Sequence, residues 1–505
     1  MFTAFLKRLP GQILGRNPFH GDCLPSRVPI FGLLSGRPTL PFPHPWNYQQ
    51  PIRILETYFW GTDSEAGSGR HNRYLDFPGF APVLVTRDPA VIRAILTETG
   101  DQPGQFDRDT LPSTGIARAT GKDTLLFSNG PRWRKQRKSA ASPFGKTSLF
   151  QPELFHGFAE TFRTSVRLRL EALRQHLQST HESSLRIAVE PEIKALMLEM
   201  LVQCFFGADV PYDQLRNIHV PALERVIDQI VRDTVTNRLG LPVSMLARFS
   251  SRYAQMRADF STFESLTNQV LAARHTGRGL WQKFKSEVSD DALKSNIKVF
   301  LAGALEATTS YATWAISHLA RHPAAQERVF QEVGTVQDYS PDELENATFL
   351  EHVLNETLRL TPSLYFLPRR ATTDTWIQMA DGRRMFIPQG THLLLDVWHA
   401  NRHDDHWGPG VSGFPATEFV PERWEHLAQS GRASKEMLHF GFGHGARVCP
   451  GKHLGQLEVG LVVGAFVKLF RFRAVHPENP VKAGVSTKPL DGTLVELELR
   501  EPGPA

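Results

Sequence analysis

Cysteine is scarce in this chain, with only Cys23, Cys204 and Cys449 among 505 residues. An odd number at wide spacing implies no disulfide framework, and we therefore expect a reducing compartment, the cytoplasm. No pair of cysteines has the spacing of a zinc finger, which excludes the usual structural zinc sites.

Long apolar runs and a strong excess of one charge are also missing. No stretch of 18 apolar residues lies near the N-terminus, so no transmembrane anchor is expected. The net charge of +5 is modest and no nucleic-acid module is visible, so nucleic acid is not an expected partner. Residues 1–21 carry Lys7, Arg8 and Arg16 and no acid. A mitochondrial transit peptide or peripheral membrane association therefore stays open as an alternative.

The remaining pattern is mainly helical. Residues 1–50 form a basic and then proline-rich lead-in. Apolar periodicity between Pro/Gly-marked loops predicts helices at 149–178, 190–206, 220–238, 252–275, 291–321 and 341–360. Strand signals are few and fall at 83–86, 376–379, 385–387, 392–397 and 494–499. We therefore expect a mainly α protein with small sheets at one side.

The most informative segment runs from Phe442 to Gly451, with the sequence FGHGARVCPG. An apolar helix is predicted at 454–470, so Cys449 should lie at or just before a helix N-terminus, where the helix dipole favours a thiolate. A single thiolate can serve as the one protein ligand of an iron held in a macrocycle. The alternative is a buried structural cysteine after a turn.

This segment resembles the haem-binding signature of the cytochrome P450 family, F-x-x-G-x-R-x-C-x-G, with every fixed position filled. The resemblance implies a triangular helical prism with small β-sheets, a single catalytic domain over residues 51–505 and haem b as cofactor. It implies that Cys449 is the metal ligand and that Phe442, Arg447 and Gly451 also contact the haem.

A second motif is E-x-x-R, which places Glu356 and Arg359 on one helix face. The motif alone is weak, because it recurs at Glu160/Arg163 and Glu171/Arg174, where solvated pairs are expected. Downstream, the segment FVPERW resembles the family's P-E-R-F/W segment. The resemblance implies that Arg423 joins Glu356 and Arg359 in a buried structural triad that holds the cysteine loop.

Haem carries two propionates, which require cations and hydrogen-bond donors from separate segments. Trp133 and Arg137, four residues apart, match the family's W-x-x-x-R, and Arg447 is a further anchor. Arg369 matches the arginine that enters the first sheet, although the adjacent Arg370 makes this assignment ambiguous by one residue.

Further cations lie on the same segment and after the cysteine. In the family this side of the haem receives the electron donor, so a ferredoxin or flavin reductase with an acidic surface is the expected partner. The alternative is a set of simply solvated charges. The residues concerned are Arg132, Arg134, Lys135, Lys138 and Lys452.

The oxygen-side helix departs from the family pattern [AG]-G-x-[DE]-T-[TS]. Taking Glu306 as the acid needs no insertion, but Ala307 then occupies the usual threonine position and Thr308 follows 100° round the helix. Either a local bulge brings Thr308 into place, or proton delivery comes from Glu306, water or a substrate hydroxyl. Matching Ala302-Gly303 instead would need an inserted residue.

The resemblance implies a monooxygenase that inserts one atom of O₂ into a small apolar organic substrate, with electrons from a separate partner. Five segments that line the family's pocket contain Phe205, Phe206, Phe300, Tyr365 and Phe366, which fit an apolar ligand. Because of Ala307, a desaturase, isomerase or peroxygenase is the alternative. A haem-binding protein without turnover is a remote one.

Overall fold

A computed structural model describes residues 9–500, apart from several segments. The residues outside the description are 29–49, 62–70, 78, 101–104, 110–113, 122, 146–148, 150–151, 180–183, 237–240, 274–278, 280–289, 335–345, 380, 432–438 and 479. Most of the predicted N-terminal lead-in, residues 1–50, and the first turn of the helix predicted at 341–360 therefore lie outside the described residues.

Helices make up most of the described chain. In chain order they are α1 Gln50–Ile54, α2 Pro89–Thr97, α3 Thr114–Thr120, α4 Gly130–Phe144, α5 Pro152–Ser179, α6 Glu190–Glu199, α7 Tyr212–Gln214, α8 Val220–Thr236, α9 Val243–Leu246, α10 Ser251–Ala273, α11 Asp290–Arg321, α12 Pro323–Val333, α13 Thr348–Leu360, α14 Val397–Ala400, α15 Asp404–Trp407, α16 Pro409–Ser412, α17 Glu422–Gln429 and α18 Lys452–Leu469. Single π-helical segments continue α1 and α6 and precede α8, at Leu55–Trp60, Met200–Phe205 and Leu215–His219.

The strands form one larger sheet and three small ones. Their bounds are β1 Ser26–Arg27, β2 Asn72–Leu75, β3 Val83–Thr86, β4 Phe106–Arg108, β5 Leu185–Ala188, β6 Phe366–Ala371, β7 Thr375–Gln378, β8 Arg384–Ile387, β9 His392–Asp396, β10 Phe470–Ala474, β11 Val481–Ala483, β12 Thr487–Pro489 and β13 Leu494–Leu499. The larger sheet has the order β1-β2-β3-β9-β6-β4, and the others are β10-β13-β5, β11-β12 and β7-β8.

Helix α11 is the central element of the helical part. It packs against α6, α10, α12, α13 and α18, and its side chains contribute to one apolar core that all these helices share. A separate core lies between α2 and the larger sheet. Helix α13 packs on α18 beside Gly460 and Gly464, where a Cβ would lie 3.6 Å from Leu354 or Leu350, an ordinary van der Waals contact. The site described below is built where α11, α18 and the larger sheet meet.

The mainly helical prediction is confirmed, and most predicted elements appear within a few residues of their expected bounds. The prediction missed β6, because Pro368 lies inside it and proline lacks the N–H of a regular strand. Pro368 pairs with Leu394 of β9 on one side of β6. On the other side, β4 pairs only with residues 369–371, so the N–H that Pro368 lacks is at a position that β4 does not reach. Among the described residues no helix is both long enough and apolar enough to span a bilayer.

Candidate active site

The cysteine loop between Phe440 and Gly451 is held by its own backbone. The amide of Cys449 donates to the carbonyl of Phe442 at 2.8 Å, and the amide of Gly443 donates to Phe440 at 2.8 Å. Gly445 has φ +69°, and a Cβ there would lie 2.3 Å from the carbonyl oxygen of Leu96 in α2, so only glycine fits. Helix α18 begins at Lys452, three residues after the sulfur, as predicted.

The Cys449 side chain has accessible surface although protein surrounds it on all sides, which indicates an enclosed space, a cavity, beside the sulfur. Its side chain is exposed, yet burial by the surrounding protein raises the pKa of the thiol. The amide of Gly451 and the charge of Arg137 oppose this shift and favour the thiolate. The expected thiolate stabilisers are therefore present but weaker than the effect of burial, and a bound metal cation would be needed to deprotonate the sulfur outright.

One stripe of α11 faces the same cavity. Phe300, Gly303, Ala304, Ala307 and Thr308 are half-buried or exposed and follow helical spacing, whereas Leu301, Leu305 and Glu306 are buried. A Cβ on Gly455 of α18 would lie 3.9 Å from Thr308 Cγ2 and 3.9 Å from Phe442. The stripe therefore looks towards the start of α18 and the cysteine loop.

Thr308 reaches the cavity without a bulge. Helix α11 is regular through this turn, and Thr308 Oγ1 donates to the carbonyl of Ala304 at 2.9 Å. Ala307 shares the same face, and its carbonyl accepts a hydrogen bond from Ser363 Oγ at 3.0 Å. The predicted bulge is therefore absent from this helix, and residues 307 and 308 both line the cavity.

Glu306 points the other way, into a buried charge network. Its carboxylate accepts from Lys488 Nζ at 2.8 Å and from Ser486 Oγ at 2.9 Å, and Lys194 Nζ lies 3.8 Å away. Lys194 also pairs with Glu190, at 3.2 Å, and with Glu224. The network joins α6, α8 and α11 to the β11–β12 hairpin.

This network keeps Glu306 ionised. Burial alone would raise its pKa, but Lys488 and Lys194 more than offset this and lower the pKa to about 2. A carboxyl group with that pKa carries no proton to donate near neutral pH, and its side chain does not face the cavity.

Buried positive charge collects at the sheet side of the cavity. Burial and the neighbouring charges of Arg108 and Arg447 hold the pKa of Arg369 well below its ordinary value, and burial lowers that of Arg447 to about 9. The negative charge of Asp107 partly offsets this lowering of the Arg447 pKa. The Nε atoms of Arg108 and Arg447 are buried without a hydrogen-bond partner. Spare donors and excess positive charge fit a ligand with two carboxylates, such as the propionates of haem.

The four predicted propionate residues lie in one linked group, and the structure distinguishes Arg369 from the adjacent Arg370. The guanidinium of Arg447 lies over the ring of Trp133 at 4.1 Å, and Arg137 lies close enough to Cys449 to affect its pKa. Arg369 is 2% exposed and points inwards, whereas the adjacent Arg370 is exposed. Arg108 was missed by sequence analysis, because a single arginine in a three-residue strand carries no motif.

Glu356, Arg359 and Arg423 form a triad with no exposure to solvent. Glu356 binds Arg359 Nη2 and Nε at 2.7 and 2.9 Å and Arg423 Nε at 3.2 Å. It also accepts from Val420 N and Trp424 Nε1, each at 3.1 Å. One carboxylate is therefore shared by two guanidinium groups, whose other N–H groups donate to backbone carbonyls, and every member has the hydrogen bonds that a buried ion pair needs to be stable. The pair Glu171–Arg174 is exposed, as predicted for that copy of the motif.

The triad fixes the chain that leads to the cysteine loop. Arg359 Nη1 donates to the carbonyls of Asn401 and Ala416, each at 2.6 Å. Arg423 Nη2 donates to the carbonyl of Pro415 at 2.7 Å. Asn401 Nδ2 in turn donates to the carbonyl of His439 at 2.8 Å, immediately before the cysteine loop.

The predicted basic residues differ in accessibility. Arg132, Lys135, Lys138 and Lys452 are exposed, and Arg134 is half-buried. Helix α4, which carries all of them except Lys452, packs against α18, which begins at Lys452.

Three aromatic residues that sequence analysis assigned to the pocket are buried in apolar clusters. Phe205 is 1% exposed and Phe206 is fully buried, and the ring of Phe205 stacks on Phe144 at 4.8 Å. Tyr365 is 5% exposed and belongs to a small cluster with Trp398. Phe300 and Phe366 are partly exposed.

The family profile described as cytochrome P450 matches residues 73–494 of this chain. This chain belongs to the cytochrome P450 family. Cytochrome P450 734A2 from Oryza sativa is 25% identical over 91% of this chain and 83% of its own length. Cytokinin hydroxylase from Arabidopsis thaliana is 26% identical over 79% and 75%, and pentalenene oxygenase from Streptomyces avermitilis is 22% identical over 69% and 73%.

As a cytochrome P450, the protein is a haem-thiolate monooxygenase, an oxidoreductase that binds haem and its iron. Members of the family act on organic substrates and take electrons from a redox partner. The buried arginines and the inward-opening sulfur fit such a cofactor, as shown above.

The triad generates a prediction about stability. Glu356→Gln keeps the shape of the side chain but leaves two buried guanidinium groups without a counter-charge, which costs about 3–5 kcal/mol. We expect a lower midpoint of thermal unfolding and a large loss of haem per purified chain.

Glu171→Gln is the matched control, since it has the same E-x-x-R spacing on the surface. It should change the stability by no more than about 1 kcal/mol. Equal effects of the two substitutions would contradict the role of burial in this prediction.

Proposed function

We propose that Cys449 Sγ would bind the iron of haem b and that the protein, with this haem bound, would insert one atom of O₂ into a small apolar organic substrate. The single observation that carries the proposal is the accessible sulfur of Cys449 just before α18, a helix whose Gly455 lies so close to α11 that a Cβ there would be 3.9 Å from Thr308 Cγ2. The haem supplies O₂ activation, and a thiolate ligand favours O–O cleavage. Phe442 and Gly451 flank the sulfur on its own loop.

Arg369, Arg447, Arg137 and Trp133 would hold the haem propionates, with Arg108 as a further contributor. The support is electrostatic: burial lowers the pKa of Arg369 and Arg447, and their neighbours add like charge. Two carboxylates placed there would relieve the repulsion between the guanidinium groups and accept from the unpaired Nε atoms. Trp133 stacks on Arg447 and fixes its direction.

Thr308, rather than Glu306 or Ala307, would hold the proton that oxygen activation needs. Its hydroxyl lies on the cavity stripe and bonds only to carbonyls of its own helix, Ala304 and Leu305. Ala307 has no proton to offer, and Glu306 is turned into its ion network with a pKa of about 2. Glu306 would then act as an electrostatic anchor for α11, and the hydroxyl favours ordinary oxygenation over the alternatives that Ala307 suggested.

The electron donor would be a ferredoxin or flavin reductase that docks on Arg132, Arg134, Lys135, Lys138 and Lys452. Four of these five cations are exposed, on α4 and at the start of α18, and they would attract an acidic partner at low ionic strength. A reducing compartment, the cytoplasm, is consistent with three cysteines that are all free thiols.

The cofactor assignment predicts distinct spectra for two substitutions. Cys449→Ser should abolish the strongly red-shifted absorption of the reduced carbon monoxide complex, because that shift requires a thiolate ligand. Arg369→Leu should lower the haem content per chain, because it removes a buried donor to a carboxylate.

Arg370→Leu is the control, since its side chain lies on the opposite face of the same strand. It should leave both the haem content and the carbon monoxide spectrum unchanged. An unchanged carbon monoxide spectrum in Cys449→Ser would reject the assignment of Cys449 as the ligand of the haem iron.

The proton assignment predicts different effects at neighbouring positions of α11. Thr308→Val should lower the fraction of electrons recovered in product by roughly tenfold and raise peroxide release, because it removes a positioned proton donor. Glu306→Gln should change this fraction little but lower the midpoint of thermal unfolding.

The stability loss in Glu306→Gln should depend on pH. The pKa of Glu306 is below its ordinary 4.5, so the ion network stabilises the folded state above pH 4.5 and loses this effect as the pH falls towards 2. The gap between wild type and variant should therefore narrow below pH 4.5. Strong uncoupling by Glu306→Gln with none by Thr308→Val would reverse the two roles.

The docking surface predicts a salt-dependent rate. Lys135→Glu combined with Lys138→Glu should slow the first electron transfer from an acidic donor about tenfold at low salt, with a smaller difference at high salt. Arg257→Glu, an exposed cation of α10, is the control and should have little effect. Equal slowing by both proteins would place the docking surface elsewhere.

A further inference from the structure

Three histidines meet away from the haem site, between the larger sheet and the short helix α15. His71 directly precedes β2. His403 is the residue just before α15, and His406 lies within that helix. One ring nitrogen from each lies within 4.8 Å of the other two. The ring centroid of His71 is 4.7 Å from that of His403 and 4.8 Å from that of His406.

Two of these rings have buried nitrogens that no hydrogen bond satisfies. His71 Nδ1 and His406 Nε2 are both inaccessible and without a partner. Such orphaned atoms are costly in a folded protein unless a ligand binds them.

Asp405 forms hydrogen bonds with two of the histidines and fixes the direction of their rings, as carboxylates beside metal-bound histidines do. Its Oδ2 accepts from His71 Nε2 at 3.0 Å, which directs Nδ1 of that ring towards the other histidines. The amide of Asp405 donates to His403 Nδ1 at 3.2 Å. Arg87 adds an opposing positive charge, which the carboxylates of Asp405 and Asp88 counter.

We propose that His71, His403 and His406 bind one divalent transition-metal ion of the zinc type, with Asp405 as a positioning residue. Three imidazoles suit Zn²⁺ and similar ions and disfavour Mg²⁺ and Ca²⁺. Nitrogens bound to a tetrahedral zinc at 2.0–2.1 Å lie about 3.3 Å apart, so the rings need to close by little more than an ångström. A cleft of about 650 Å³ beside α2, which His406 and Asp88 help to line, gives the ion a path from solvent.

Metal bound here would link two parts of the chain that are distant in sequence. His71 belongs to the larger sheet, whereas His403 and His406 follow Asn401, whose side chain holds the carbonyl of His439 before the cysteine loop. The ion would therefore brace the segment that leads to the haem ligand, without contacting the haem.

The test is zinc binding by the haem-loaded protein after treatment with a chelator. Wild type incubated with ZnCl₂ and then desalted should retain one zinc per chain and show a higher midpoint of thermal unfolding. His71→Ala and His406→Ala should lose both effects. His476→Ala, which removes an exposed histidine elsewhere, should keep them.

Asp405→Asn is a second variant that should still fold, because the side chain of Asp405 is 46% exposed. It should weaken zinc binding about tenfold or more while the carbon monoxide spectrum stays that of wild type. Absence of stoichiometric zinc in wild type, or equal retention by wild type and His406→Ala, would overturn the proposal.

Discussion

The carboxylate of Glu356 is the interaction on which the site's geometry most depends. It accepts hydrogen bonds from Arg359, Arg423, Val420 and Trp424 and has no contact with water. A lone carboxylate in such a place would be strongly unfavourable, and each guanidinium would be equally unfavourable alone. Together they hold irregular chain whose carbonyls would otherwise lack donors. That chain delivers the cysteine loop to α18 at a fixed position.

Charge is divided between two sides of the cavity. Arg108, Arg369 and Arg447 form an electropositive group at the sheet, while Glu306 and its lysines lie on the far side of α11. The first group has spare donors and fits an anionic ligand, whereas the second is internally neutralised and fits a structural role. Burial makes the difference, because each unpaired charge there must find a counter-charge or a ligand.

Motif residues can be recognised in the sequence because their chemistry restricts both residue type and spacing. Cys449 needs a glycine-rich turn before a helix, and Gly445 shows why, since any side chain there would collide with Leu96. Glu356 and Arg359 lie one helical turn apart, and that spacing is visible in the sequence. Arg108 and the pocket assignment of Phe205 could not be predicted, because neither position carries a local pattern that states what packs against it.

The sequence by itself determined the family, the mainly helical fold and the identity of the residues around the sulfur. These follow from local spacing and from side-chain types that few other residues can replace. Tertiary structure alone decided which of Arg369 and Arg370 faces inwards, and that Thr308 shares the cavity with Ala307 while Glu306 turns away. It also brought His71 to His403 and His406. Such choices depend on packing between segments far apart in the chain, and only the folded protein sets the direction and burial of each side chain.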